Sequence, residues 1–191
     1  MFRDARGPLF RFMESIGRPM DDCGCATPLA LLLEQGILDE RWIVAHLNEL
    51  TSDDFRLLDN APRFHIAHCP RSHAYFGHSP FALQQLRDLG FNICVATDSL
   101  ASNDDLSLLA ELRQLATTEP TLSPQTLFEM VTVNPAAALR QQSTLGRIRT
   151  GFAADLIAMP FHGTATEVFE ETLHFAGKVP WTMVNGRPLD P

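Results

Sequence analysis

The sequence predicts an α/β fold, and three observations support that prediction. Short apolar runs alternate with helix-like segments at intervals of about 20–30 residues, which is typical of βα units in a parallel sheet. The runs are apolar throughout, so we expect both faces of each strand to be covered. After residue 144 the pattern changes to short strands with glycine turns. We therefore expect a barrel-type region over residues 1–144 and a small β appendage over 145–191.

Two helices are expected before the first strand. Residues 4–16 carry apolar side chains at helical spacing, and Gly17 and Pro19 should end that helix. Thr27 can cap a second helix over residues 28–35, because Pro28 suits the first helical position.

Three strand–helix units follow. We predict strands over residues 42–45, 64–67 and 93–96, and the helices that follow them over 51–59, 80–89 and 106–116. Asn103, Asp104 and Asp105 are candidate caps for the last of these helices. Two further helices are expected over residues 124–131 and 135–142, and Asn185-Gly186 predicts a hairpin turn in the β appendage.

Composition limits the classes of partner. The net charge of −8 argues against nucleic acid or an anionic membrane. No apolar run approaches the ~20 residues of a membrane span, and no signal segment is apparent, so a cytoplasmic protein is expected. The four cysteines are expected to be free thiols, because their spacing suits neither a zinc ribbon nor an unstrained disulfide.

Each of the three predicted strands ends on a side chain that can bind a metal or transfer a proton. His46 follows the first strand, His68 follows the second, and Asp98 comes shortly after the third. Functional groups collect at the carboxyl edge of parallel βα sheets. We therefore expect these three side chains to lie on one edge.

Imidazole and carboxylate groups are ligands for zinc or iron. Such a metal lowers the pKa of bound water from ~15.7 to ~7. An Asp can then accept a proton, and a second His can stabilise a developing oxyanion. Taken singly, a His at a strand end is more often structural and an Asp before a helix is more often a cap. The joint pattern favours a site.

The other histidines carry weaker signals. Arg71-Ser72-His73 follows a strand end, so it contacts substrate or forms a solvated loop. The remaining histidines are expected to be structural: His65, His73, His78, His162 and His174.

Five segments in order resemble the amidohydrolase superfamily, in the branch of cytosine, guanine and adenosine-type deaminases and triazine chlorohydrolases. They are VAHLNEL, HCPRSHAYF, ATDSLASNDDLSLLAELR, MVTVNPAAAL and LGRIRTGFAADLIAM. The resemblance implies the C-terminal part, about strands six to eight, of a metal-dependent TIM-type (β/α)8 barrel, followed by a segment of a small composite β domain. Within the branch, CPRSHAYF and TDSLASN resemble aminofutalosine deaminases.

The resemblance also implies roles. Asp98 would be a metal ligand and proton acceptor, and His46 would act at the metal and its water. The substrate-binding residues would be His68, Arg71, Ser72, Ser99 and Asn103. The cofactor would be a divalent metal, with zinc first and iron as the alternative. The reaction would be hydrolytic deamination of an aminated heterocycle or nucleoside-like small molecule, with other C–N bonds or C–Cl bonds as the alternative.

The departures from the family pattern matter equally. Its His-x-His pair and its His-x-x-Glu segment are absent, and His73 stands where Asn is usual. A full barrel takes about 250 residues, and only three βα units are recognisable here. We therefore expect the chain to be a fragment, inactive alone, with the missing ligands upstream of Met1. A non-catalytic remnant, or a half-barrel that needs a missing N-terminal half or a second copy, is the alternative.

Overall fold

Residues 1–189 are described by the structure, which is a computed structural model. The chain divides into two units. The first comprises residues 1–42 and 50–64, and the second comprises residues 43–49 and the chain from His65 onward. This division does not address the domain boundary expected after residue 144, which stays a prediction.

The first unit contains three helices: α1 Pro8–Ser15, α2 Pro28–Glu34 and α3 Ser52–Asn60. Thr27 caps α2 as predicted, and Thr51 caps α3, because each hydroxyl accepts a backbone N–H of the first turn. The side chain of Asp54 is buried. Its carboxylate accepts the backbone N–H of Thr51, which completes a capping box, and also accepts a hydrogen bond from the Thr27 hydroxyl. Helix α1 is shorter than expected and buries no side chain.

A three-stranded parallel sheet forms the centre of the second unit. Its strands, in spatial order, are β1 Ile43–Ala45, β2 His65–His68 and β3 Asn92–Val95. Ala45 lies opposite Ala67, and Ala67 lies opposite Cys94. The three predicted strands are confirmed, and their carboxyl ends meet at one edge of the sheet.

The expectation that both faces of every strand are covered is wrong for β1. Ile43 and Ala45 of that strand are exposed, whereas Ile93, Cys94 and Val95 of β3 are buried. Within the described residues β1 is an edge strand with one strand neighbour, so its apolar composition does not guarantee burial.

Five further helices of this unit follow β2 and β3: α4 Pro70–Phe76, α5 Leu83–Asp88, α6 Leu108–Thr118, α7 Pro124–Glu129 and α8 Val133–Ala138. Helix α4 was not predicted, and it excludes the solvated loop that was one of the two alternatives for residues 71–73. Pro70 occupies its first turn and Gly77 ends it in a left-handed conformation with φ 61°. The helix predicted over residues 80–89 begins only at Leu83.

The cap of α6 is also a correction. Ser107, and not Asn103, Asp104 or Asp105, occupies the N-cap position, and its hydroxyl accepts the N–H of Ala110. The candidate carboxylates are engaged elsewhere, as the site geometry below shows.

Within residues 145–189 three strands form a separate sheet, as the pattern of short strands predicted. This antiparallel sheet contains β4 Leu156–Ala158, β5 Trp181–Val184 and β6 Arg187–Leu189. The hairpin predicted at Asn185-Gly186 is confirmed, with φ 48° and 75° at its two turn residues. A 3-10 turn at Ala165–Glu167 and helix α9 Val168–His174 interrupt the sheet and were not predicted.

Residues 1–189 contain neither a disulfide nor a helix that is long and apolar enough to cross a membrane. The four cysteines are free thiols. Cytoplasmic localisation stays a prediction.

Candidate active site

His46 and Asp98 lie together at the carboxyl edge of the parallel sheet. His46 directly follows β1, and its Nε2 lies 3.8 Å from Oδ2 of Asp98, three residues after β3. Both residues have left-handed backbones, with φ 67° and 59°. That conformation costs about 1–2 kcal/mol at a non-glycine residue and is typical of functional sites. The structure therefore places the two residues that were predicted to be catalytic next to each other.

Two serine hydroxyls hold the Asp98 carboxylate. Ser72 of α4 donates to Oδ2 at 2.7 Å, and Ser102 donates to the same oxygen at 3.1 Å. The bond from Ser72 is the main reason that the pKa of Asp98 lies below its usual range, and Ser102 and the backbone of Ser99 add to it. Asp98 is therefore an anion at neutral pH. Ser102 was not predicted, although a small polar residue four positions after Asp98 was visible in the sequence.

The pair fits as part of a divalent-metal shell. Two ligands at about 2.1 Å from a tetrahedral zinc lie about 3.4 Å apart, close to the 3.8 Å between His46 Nε2 and Asp98 Oδ2. Nitrogen and carboxylate oxygen are also donors that zinc accepts. Among residues 1–189, however, no group of three or more His, Cys, Asp or Glu side chains is arranged to hold a metal. A catalytic zinc takes three protein ligands, so this pair needs at least one more.

His68 is buried at the end of β2. The residue is 3% exposed, and its ring stacks on Phe81 with ring centroids 3.9 Å apart. Burial lowers the pKa of His68 to about 3, so the ring is neutral. Its Nδ1 has no hydrogen-bond partner, which costs about 1–3 kcal/mol in a buried group. The substrate contact predicted for His68 stays a prediction.

Arg71 contacts the loop between β3 and α6. Its guanidinium donates to Asp105 at 2.5 Å and to Asp104 at 3.1 Å. Two carboxylates thus engage the side chain that was expected to contact substrate, and that role also stays a prediction. Asp105 also accepts the N–H of Ser107, the N-cap residue of α6, at 2.9 Å.

The remaining predicted contacts lie on the loop that carries Asp98. Ser99 is exposed, and its hydroxyl accepts the N–H of Ala101 at 3.3 Å. Asn103 donates to the carbonyl of Thr97 at 2.8 Å and also to Glu111. Glu111 was not predicted. Its only sequence signal is its place on the buried face of α6, four residues before Leu115.

A second hydrogen-bonded cluster holds the turn after His46. The Glu49 carboxylate accepts the N–H of Ser79 at 3.0 Å and its hydroxyl at 3.1 Å, and His78 Nδ1 lies 3.3 Å away. The N–H of Ser79 is the main reason that the pKa of Glu49 is lowered. His73 bridges Asn48 at 3.0 Å and the Ser79 carbonyl at 2.9 Å. These contacts are consistent with the structural roles expected for His73 and His78, which stay predictions.

The chain is similar to known proteins of one family. Residues 14–189 match the amidohydrolase family. The 5-methylthioadenosine/S-adenosylhomocysteine deaminase of Pyrococcus furiosus is 38% identical over 137 residues, which is 68% of this chain and 32% of that protein. The enzyme of the same name from Moorella thermoacetica is 30% identical over 177 residues, or 86% of this chain and 41% of that protein. The chain thus spans about a third to two-fifths of these relatives.

Solved structures show the same fold. Helicobacter pylori aminofutalosine deaminase matches with a TM-score of 0.80 and 20% identity, over 98% of this chain and 48% of that one. E. coli guanine deaminase matches with a TM-score of 0.73 and 18% identity, over 85% and 41%. The zinc complex of Arthrobacter aurescens atrazine chlorohydrolase matches with a TM-score of 0.70 and 24% identity, over 85% and 39%. The resemblance read from five sequence segments is confirmed: the chain belongs to the amidohydrolase family.

Proposed function

We propose that this chain supplies part of the active site of a metal-dependent hydrolase that removes an amino group from an adenosine-like heterocycle. The observation that carries the proposal is the approach of His46 to Asp98 within 3.8 Å at the carboxyl edge of a parallel sheet. The names of its relatives, which are deaminases, set the reaction class. Strands β1 to β3 would be the sixth to eighth strands of a (β/α)8 barrel, and residues 145–191 would belong to the small β domain.

Asp98 is the proton acceptor in this proposal. Its lowered pKa keeps it ionised at neutral pH, and the two serine donors fix one carboxylate oxygen. His46 lies close enough to hold the attacking water or the oxygen that gains negative charge at the reacting carbon. A divalent cation bound by His46 and Asp98, zinc first and iron as the alternative, would supply Lewis-acid activation of that water.

Substrate binding would involve residues around this pair. The unpartnered Nδ1 of His68 supports a hydrogen bond to a bound molecule, and the exposed hydroxyl of Ser99 can reach a ligand above the sheet edge. Ser72, Arg71 and Asn103 would contribute by holding Asp98 and its loop. Displacement of another leaving group is the alternative chemistry. An atrazine chlorohydrolase, whose name indicates loss of chloride, has the same fold.

A second candidate function follows from the ligand count. Within residues 1–189 the pair lacks the third ligand that a catalytic metal needs. The chain would then be a half-site that works only with ligands from a partner, either an N-terminal barrel half or a second copy, or else a non-catalytic remnant.

The test measures ammonia release from 5′-methylthioadenosine and S-adenosylhomocysteine with added Zn²⁺. The chain is assayed alone and after mixing with the part of the Moorella thermoacetica deaminase that it does not match. We expect no robust turnover by the chain alone and zinc-dependent turnover by the mixture. That turnover should be abolished by Asp98→Asn and kept by Asp53→Asn, which changes an exposed carboxylate on α3.

Three results would contradict the proposal or its half-site expectation. Turnover by the mixture that Asp98→Asn leaves intact would remove Asp98 from the chemistry. A mixture that associates and binds zinc but releases no ammonia would favour the non-catalytic reading. Robust zinc-dependent turnover by the chain alone would show that the pair needs no outside ligand.

A further inference from the structure

Glu111 is a buried carboxylate that the proposed chemistry does not use. It lies in the first turn of α6, and its side chain is fully buried. One carboxylate oxygen accepts the backbone N–H of Arg71 at 2.8 Å, and the other accepts the side-chain amide of Asn103. Buried carboxylates are retained only where hydrogen bonds replace their water, so these two bonds explain how Glu111 is tolerated.

The first bond fixes the start of α4. Arg71 is the second residue of that helix, and the first N–H groups of a helix have no partner within it. Glu111 therefore caps α4 from a different helix. The next residue is Ser72, whose hydroxyl donates to Asp98 at 2.7 Å. The position of this serine donor thus depends on the bond between Glu111 and Arg71.

The second bond closes the loop that carries Asp98. Asn103 donates to Glu111 and also to the carbonyl of Thr97, the residue before Asp98. Ser102, the residue before Asn103, donates to Asp98 at 3.1 Å. The loop from residue 97 to 103 therefore folds back on itself, with Glu111 holding its far end.

We propose that Glu111 is a positioning residue that sets both serine donors on Asp98 and so orients this carboxylate towards His46. The importance of this orientation for catalysis rests on the proposed function. The two hydrogen bonds of Glu111, to Arg71 and to Asn103, do not depend on that function. Both partners of Glu111 are donors, so the site requires a group that only accepts. A glutamine would place one N–H against a donor. Turning the Asn103 amide to relieve this would break its bond to Thr97.

The test uses nuclear magnetic resonance of the 191-residue chain at pH 7, with ¹³C-labelled Asp carboxylates and the Asp98 signal assigned from Asp98→Asn. In Glu111→Gln we expect the Asp98 and Ser102 signals to shift. The Arg71 amide should exchange faster, because an amide oxygen is a weaker acceptor for its N–H than a carboxylate oxygen. Glu119→Gln is the matched control, since Glu119 is the half-buried C-cap of the same helix. It should leave all three signals unchanged.

Asn103→Ala removes the hydrogen bond from Asn103 to Glu111 and keeps the one from the Arg71 N–H. It tests the proposal even where Glu111→Gln does not fold. The Asp98 signal should shift in this variant, while the Arg71 amide keeps its slow exchange. An unmoved Asp98 signal in either folded variant would overturn the proposal.

These measurements need no turnover, so they are independent of whether the chain takes part in deamination. Where the mixture described above is active, Glu111→Gln should lower kcat and leave KM nearly unchanged, since Glu111 acts through Asp98. An equal loss in Glu119→Gln, or a change in KM alone, would count against positioning. A wild-type mixture that associates and binds zinc but is inactive would refute the proposed function and leave the spectroscopic result to decide on Glu111.

Discussion

Gly146 should be far less replaceable than Gly151, five residues further along the chain. Both glycines have left-handed backbones, with φ 84° and 87°. A Cβ atom at Gly146 would lie 2.8 Å from the carbonyl oxygen of Thr132 and 2.9 Å from the Cβ of Ala136. A Cβ atom at Gly151 would meet nothing within 4 Å. The two substitutions therefore share the conformational cost and differ in the steric one.

The expected magnitudes follow from this difference. A left-handed alanine costs about 1–2 kcal/mol, which is the whole effect expected for Gly151→Ala. Gly146→Ala adds overpacking against a backbone carbonyl that cannot move aside freely, typically about 1–3 kcal/mol. We therefore expect a loss of about 2–5 kcal/mol for Gly146→Ala. In a chain of 191 residues, each kcal/mol lowers Tm by about 2–4 °C.

Differential scanning calorimetry on the two variants measures this difference. Gly146→Ala should melt about 2–12 °C below Gly151→Ala, because only the first substitution meets backbone atoms. Equal Tm values for the two variants would refute the reasoning, since they would show that the carbonyl of Thr132 can move without cost.

Three further outcomes follow from the site. The pKa of His68 is lowered from 6.5 to about 3 in the fold, so the stability that its neutral ring contributes is complete above about pH 6.5 and is lost as the pH falls towards 3. Urea denaturation of His68→Phe should therefore show a weaker decline between pH 6.5 and 4.5 than wild type. Ser72→Ala should raise the pKa of Asp98 towards its usual value, because it removes the main donor, and carboxylate ¹³C titration would detect this. Glu49→Ala should speed amide exchange at Ser79 several-fold, and unchanged exchange would contradict the assigned bond.

Local signals predicted much of the fold because short-range interactions decide it. The threonine caps of α2 and α3 depend on N–H groups three residues away, and the Asn185-Gly186 turn depends on backbone conformation at two residues. The approach of His46 to Asp98 followed from topology, since parallel strands bring their carboxyl ends to one edge.

The unpredicted features depend on partners that are distant in sequence. Helix α4 has only seven residues and no apolar periodicity, and its first turn is capped by Glu111, 40 residues away. The carboxylates of Asp104 and Asp105 looked like helix caps, but Arg71 engages both from more than 30 residues away. Periodicity and capping rules contain no information about such pairs.

The structure also separates two requirements of a metal site that sequence patterns treat as one. The orientation of Asp98 is set by Ser72 and Ser102, both within a few residues of the sheet edge. The three protein ligands that a catalytic zinc needs, in contrast, are not brought together within the described residues. Ligands that arrive from elsewhere would therefore meet a carboxylate that is already ionised and already held by two donors. Binding of a metal would therefore not include the entropy cost of ordering the Asp98 carboxylate. We expect completion of the site to depend on where the additional ligands lie, and not on rearrangement around Asp98.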